Sequence, residues 1–511
     1  MADEQVELNN SITRYDDVGV SHLTPHPEWS HLLQEFKLLR SKTLNQLFLE
    51  ETFRHTEYRI NVANIKLDYS LQLINKAALR YLIELCSRIH LKDHIDNLFS
   101  GSVVNHSEQR PALHTALRAE PNDVVIVAGE NVIPKVQHTL QLMQSIANQI
   151  RDHLWLGYQG LPITDVVNIG IGGSDLGPNM AVHALKDYKN TTIGCHFLSD
   201  SDPDGFDDVV NQLNPTTTLF IVSSKSFTTH ETLLNLKKAM QWLGTNDLKN
   251  HLIAVTANPE KALQCGIYHV LPIWNWVGGR YSFFSAINFI LMVAIGPNHF
   301  QQLLTGAHAM DMHFKVAPLA QNMPVLLAVL GLWNLNFFCS NNHLMLVYSK
   351  RLAHFIPYIQ QLDMESNGKS ANIFGERINY NTGPIVWGGL GNHAEHAFYQ
   401  LLYQGSHYTA GDFIFIGQER YKTMNQLAEH KLNALAFGVD MCENLSRLAH
   451  GNAGINQITL DELSPYTLGA LVSLYEHKIY CQSVLWNINA FDQPGVEAAK
   501  KFKAYPYATS I

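Results

Sequence analysis

The chain reads as an α/β protein carrying two doubly wound parallel-sheet domains. Short apolar runs alternate with helical segments along it, and the runs end at polar or glycine-rich turns. Strands buried on both faces look this way, as unbroken apolar stretches, and the intervening helical patterns supply the crossovers of βαβ units. Length agrees, since 511 residues exceed what one hydrophobic core ordinarily serves.

Residues 1–110 read as a mainly helical extension that packs on the second domain. Leu71, Leu73, Ile74, Ala77, Ala78, Tyr81 and Leu82 mark one apolar helical face, continued by Leu85 and Cys86. Residues 101–117 are a polar connection leading into a further helix. The first α/β domain is expected over 111–285, with strands within 166–171, 195–198, 219–222 and 252–255. A hydrophobic helical bridge follows at about 283–340. The second domain, 286–511, has strand runs at 344–348, 384–387 and 413–416, then a long apolar helix at 466–488 and a short terminal one. In sheets of this kind ligands sit at the carboxyl ends of the strands.

Composition narrows the function classes. A chain 46% apolar and 16% charged is globular, and a net charge of −9 gives no reason to expect a nucleic-acid partner. The acidic start Met-Ala-Asp-Glu-Gln-Val-Glu lacks the apolar core of a secretory signal. The most apolar stretches, 289–295 and 324–333, fall short of the ~20 residues a bilayer needs. The six cysteines, at 86, 195, 265, 339, 442 and 481, form no C-x-x-C pair, so neither a disulfide framework nor a thiolate zinc site is indicated. A reducing cytoplasm, with no membrane partner, fits.

Ser223-Ser224-Lys225-Ser226-Phe227-Thr228-Thr229-His230-Glu231-Thr232 follows the apolar run 218–222. It reads as a buried strand ending in a hydroxyl-rich turn and a helix start, with Thr228 and Glu231 spaced as a capping box. Free amides at a helix N-terminus, several hydroxyls and a lysine suit a phosphate dianion. Hydroxyls at turns also serve local capping alone, which is the plainer reading.

Other segments could carry chemistry. Gly170-Ile171-Gly172-Gly173-Ser174-Asp175-Leu176-Gly177 follows a strand, but a dinucleotide fingerprint would need glycine where Asp175 stands. Asp200, ending the next strand, keeps a ribose-binding alternative open. What survives is a loop whose backbone, at Gly173, can approach a ligand, with Ser174 as donor. Val277-Gly278-Gly279-Arg280 sets a permanent cation behind two glycines, where it could serve an ion pair or face a developing oxyanion. Gln361-Leu362-Asp363-Met364-Glu365 offers two carboxylates, and residue types alone do not choose between Asp363 and Glu365 as a base. His393 and His396 lack a third metal ligand at fixed spacing, so an acid–base histidine is favoured over a metal. Lys500, near Lys501 and Lys503, reads as one more surface lysine.

Taken together these segments resemble the phosphoglucose isomerase family. Val-Gly-Gly-Arg-Tyr-Ser-Phe-Phe-Ser-Ala at 277–286 and Phe-Asp-Gln-Pro-Gly-Val-Glu-Ala-Ala-Lys at 491–500 look like its two signature patterns. Segments 168–178, 223–232, 361–369 and His396-Ala397-Phe398-Tyr399-Gln400 fall in the family's order, over about 100–501. The resemblance implies two sugar-isomerase (SIS-type) domains and reversible conversion of glucose 6-phosphate to fructose 6-phosphate, in glycolysis and gluconeogenesis, with no metal or organic cofactor. It implies that Ser224, Lys225, Ser226 and Thr229 hold the phosphate, and that Ser174, Gln361 and Gln493, beside Gly173 and Gly279, contact substrate. It makes Glu365 rather than Asp363 the base of a cis-enediol mechanism, with Arg280 stabilising the oxyanion and His396 and Lys500 assisting ring opening. In this family the histidine comes from the neighbouring subunit, which implies a homodimer. The sequence departs from the family at Ser226, commonly threonine, at Pro494, commonly tryptophan, and at Ala498-Ala499, commonly Leu-Gly, while Gln493, Glu497 and Lys500 stay in register. A broader isomerase that also takes mannose 6-phosphate, and a sugar-phosphate sensor, are the rival readings.

Overall fold

The computed structural model describes residues 20–439 and 449–501. The acidic start at residues 1–7, Cys442, Lys503 and the side chain of Lys501 lie outside the described residues. The N-terminal segment holds helices Pro27–Leu39 and Leu44–Glu50 and then an antiparallel hairpin, β1 (Arg59–Val62) and β2 (Ile65–Leu71). Ala63 and Asn64 turn it with φ of 49° and 61°, the backbone that a two-residue hairpin loop with the strands' own twist demands. The helical face expected from Leu71 onward is therefore corrected. Leu71 closes β2, and the helix Lys76–Arg88 begins after Asn75, whose side chain accepts the Ala78 N–H.

The first sheet is wholly parallel. Its strands β3 (Asp165–Ile169), β4 (Gly194–Leu198), β5 (Thr218–Ser223), β6 (Leu252–Thr256) and β7 (His269–Pro272) lie in the order β4-β3-β5-β6-β7. β5 and β6 are buried at every position, which is why they read as unbroken apolar runs. In the second sheet, β8 (Asn342–Val347), β9 (Ile385–Leu390), β10 (Ala410–Ile416) and β11 (Gly454–Leu460) run parallel. The order is β1-β2-β11-β10-β8-β9, with β2 antiparallel to β11, so the N-terminal hairpin completes this sheet.

The helix Pro465–Leu485 is buried at nearly every residue. It crosses Pro297–Val316 through reciprocal glycines: a Cβ on Gly306 would overlap the Tyr466 carbonyl, and one on Gly469 would overlap that of Leu303. No side chain fits at either position, and backbones approach there instead. The buried helix also carries charge. Arg118 donates to Asp311 at 2.7 Å and to Glu476 at 2.6 Å, with all three side chains almost wholly enclosed. Burial pushes the Glu476 carboxyl up to about 7. Burial alone would raise Asp311 too, yet Arg118 and His477 hold it well below the usual carboxylate range. Removing one partner of such a pair costs about 3–5 kcal/mol, because a buried charge is left uncompensated.

Candidate active site

The carboxyl ends of β3 and β5 are fastened together by one side chain. Ser223 Oγ donates to Asn168 Oδ1 at 2.8 Å, and Asn168 Nδ2 donates to the Ser174 carbonyl at 2.9 Å. Asn168 is fully buried, so this link sets the Gly170–Ser174 loop beside the hydroxyl loop. Within the latter, Phe227 has φ +52° and buries its ring, which folds the turn back on Ser224. Ser224 Oγ lies 3.3 Å from Thr229 Oγ1, and Ser226 Oγ lies 2.7 Å from Thr228 Oγ1. The helix His230–Leu243 starts with Thr229 at the N-cap and no side-chain cap. The capping box expected of Thr228 and Glu231 does not form, because the helix starts one residue later, with Thr229 and not Thr228 at the N-cap.

Lys225 points across the site rather than out of its loop. Its Nζ donates to the carbonyls of Val277 at 2.7 Å and Asn275 at 3.2 Å, bracing the segment that leads to Arg280. Burial, with Arg110 adding repulsion, brings its pKa down to about 8. Asp175, at the head of the helix Leu176–Ala184, is buried, and its carboxyl is pushed up to about 7 by burial and by Asp200. Asp200 itself accepts the Asp202 N–H at 2.9 Å and serves the start of the helix Pro203–Val210.

Gly173 brings the loop after β3 against the turn that carries Arg280. A Cβ there would overlap the Gly279 carbonyl and stand 2.9 Å from the Arg280 nitrogen. Gly172, at φ +58°, brings the same loop against the Gln361 side chain. Arg280 sits in the turn Gly279–Tyr281 and is 4% exposed. Its Nε donates to Ser366 Oγ at 2.7 Å and its Nη1 to Gln493 Oε1 at 2.9 Å. Its Nη2 donates to the carbonyls of Ala490 at 2.6 Å and Asp492 at 2.9 Å. Four of its donors are thereby fixed, and the guanidinium cannot swing.

Glu365 closes a π-helical turn, Gln361–Glu365, that continues the helix Phe355–Gln360. Such wide turns concentrate at functional sites because they re-aim side chains. Glu365 Oε1 lies 3.4 Å from Arg280 Nη1, and Oε2 accepts from Gln361 Nε2 at 2.9 Å. The carboxylate faces a cleft of about 530 Å³ lined also by Lys369, Asp492 and Gln493. Asp363, two residues earlier, is fully enclosed and lies 3.7 Å from Lys478 Nζ in the interior. The turn thus sends the two carboxylates to opposite destinations.

Not every candidate comes to this point. His396 is exposed beyond the helix Gly391–Ala394, and Lys500 is exposed on Pro494–Lys501. Among the described residues no hydrogen bond or ion pair joins either to Arg280 or Glu365, and no group of three or more His, Cys, Asp or Glu side chains could hold a metal ion. Asn168 and Lys369 were missed as candidates. Asn168 is a polar residue inside an otherwise apolar strand, and Lys369 stands four residues after Glu365; those were the available signals.

A family model for phosphoglucose isomerase matches residues 68–505. A glucose-6-phosphate isomerase of Legionella pneumophila (strain Lens) is 50% identical over 473 residues, covering 92% of this chain and 95% of its own length. One from Deinococcus radiodurans is 42% identical, covering 94% and 93%. The crystal structure of a glucose-6-phosphate isomerase from Chlamydia trachomatis superposes with a TM-score of 0.85 at 28% identity, over 93% of this chain and 94% of that one. With the family model matched over most of its length and relatives at 50% and 42% identity, the chain belongs to the phosphoglucose isomerase family.

Proposed function

We propose that this protein is a glucose-6-phosphate isomerase, interconverting glucose 6-phosphate and fructose 6-phosphate in glycolysis and gluconeogenesis. The observation that supports it most is the Glu365 carboxylate 3.4 Å from a guanidinium that four further hydrogen bonds immobilise. The hydroxyls of Ser224, Ser226 and Thr229, with the first amides of the helix after them, take the phosphate dianion. Lys225 adds its charge from behind the loop. Binding energy from that remote group positions the reacting carbons.

His396 and Lys500 open the ring by moving the C1 hydroxyl proton to the ring oxygen. Glu365 then takes the proton on C2, and the electron pair moves into the C1 carbonyl, leaving a cis-enediolate. Arg280, already oriented, stabilises the oxyanion without reorganisation. The O2 proton passes to O1, and Glu365 returns its own proton to C1. Gln361, which donates to Glu365 Oε2, fixes the carboxylate, and Gln493, Ser174, Gly173 and Gly279 shape the sugar site.

His396 is exposed in its own chain and serves the site of a second copy, so the working unit is a homodimer. We place the activity in the cytoplasm, supported by five described cysteines that are all free thiols. A coupled assay with glucose 6-phosphate, fructose 6-phosphate and mannose 6-phosphate tests the reading, and wild-type protein inert on the first two overturns it. Glu365→Gln lowers kcat by about 10³-fold or more while sugar-phosphate binding persists. Mixing Glu365→Gln with His396→Ala protein restores about a quarter of wild-type activity, because half the dimers then hold one complete site. Absence of that recovery, with subunit exchange verified, removes His396 from the partner's site.

A further inference from the structure

Lys369 does more than line the cleft. It lies one helical turn past Glu365, and its side chain is 10% exposed. Its ammonium donates to the carbonyls of Glu365 at 3.0 Å, Ser366 at 2.7 Å and Asn489 at 3.0 Å. An ammonium has three N–H groups, so all three are committed to backbone oxygens. Two of those oxygens belong to the turn that presents Glu365. The third opens the segment 489–493, whose Ala490 and Asp492 carbonyls and Gln493 side chain hold Arg280. One cation therefore bolts the backbone under the base to the loop that anchors the oxyanion donor.

We propose that Lys369 is a positioning residue that keeps the Glu365 carboxylate in register with the Arg280 guanidinium, and that turnover requires it as an ammonium. A neutral amine has only two N–H groups and would turn a lone pair toward the third carbonyl. The groups facing it are Glu365 on its own segment, Arg280 from the 279–281 turn and Asp492, 3.4 Å away, from the 489–493 segment. The Thr382 hydroxyl, donating to the Lys369 carbonyl at 2.9 Å, is neutral. Burial and Arg280 bring the lysine pKa down to about 8 against the pull of Asp492 and Glu365, so the proton is lost within reach of a pH profile.

The role rests on the isomerase reading, and turnover by wild-type protein is the separate control for that. Lys369→Met is expected to lower kcat about 10- to 100-fold with KM within about twofold, since a misplacement near 1 Å costs that much. Lys369→Arg recovers part of the loss and moves the alkaline limb of kcat up by at least about one pH unit, because a guanidinium does not titrate there. Lys225→Arg alters the alkaline limb of kcat/KM instead. Near-wild-type kcat in Lys369→Met, or an unmoved kcat limb in Lys369→Arg, overturns the proposal. A crystal structure of Lys369→Met tests it without any assay: the Glu365–Arg280 separation should exceed the present 3.4 Å, and an unchanged separation overturns it.

Discussion

Two carboxylates separated by one residue, Asp363 and Glu365, meet opposite environments. Asp363 is enclosed beside Lys478, while Glu365 reaches the cleft and Arg280. Nothing in the residue types distinguishes them, because the wide turn that parts them is a backbone event; only the resemblance to a family singled out Glu365. Gly173 is a sharper case. With alanine there, the new methyl overlaps the Gly279 carbonyl and pushes the Arg280 turn away. We expect Gly173→Ala to lower kcat about 10- to 100-fold, measured in the coupled assay, with little change in Tm because a site loop and not the core is displaced. The glycine's importance was visible in the sequence as loop freedom. Its contact with Gly279, across more than a hundred residues of chain, was not.

Elements whose burial matches their neighbours' were legible. β5 and β6, buried throughout and apolar over 219–222 and 252–255, declared themselves, as did the helix Pro465–Leu485. The hairpin β1–β2 was missed because its outward residues, Arg59, Asn61, Lys66 and Asp68, interrupt the apolar pattern. β11 was missed for a related reason, since Asn456, Gln457 and Thr459 give it a polar texture even though Asn456 is buried against Asp412 at 2.8 Å. Nor did the apolar look of the long helix announce Glu476, His477 and Lys478 inside it; their partners, Arg118, Asp311, Asp363 and Asp412, come from distant segments. The crossing of that helix with Pro297–Val316 leads to a second expectation. Gly469→Ala forces a methyl onto the Leu303 carbonyl and destabilises by about 1–3 kcal/mol, seen as a lower Tm at fixed scan rate.

For the whole molecule, the response to acid is set by histidines kept neutral. His313 Nε2 accepts the Met323 N–H at 3.0 Å, so it must be unprotonated in the fold, and burial, with His477 adding, holds its pKa near 4. The unfolded chain takes up that proton near 6.5, so its contribution to stability is complete above about pH 6.5 and disappears as pH falls toward 4. Tm should drop across that interval, and His313→Gln, which keeps an acceptor but cannot titrate, should flatten the drop. His22, held near 4 by burial and by His26, and His114, held well below its ordinary value by burial and by Arg118, are among the groups that maintain the remaining slope. An unaltered Tm–pH curve in His313→Gln would show that the histidine is not the sensor.

The pairing of β2 with β11 has a consequence for how the protein is made. The two strands are separated by almost four hundred residues, 71 to 454. At about 5–20 residues per second a ribosome needs roughly 20–80 s to deliver the later strand after the earlier one. Throughout that interval the nascent hairpin waits with an open edge, and the second sheet cannot close before residues 454–460 have been made.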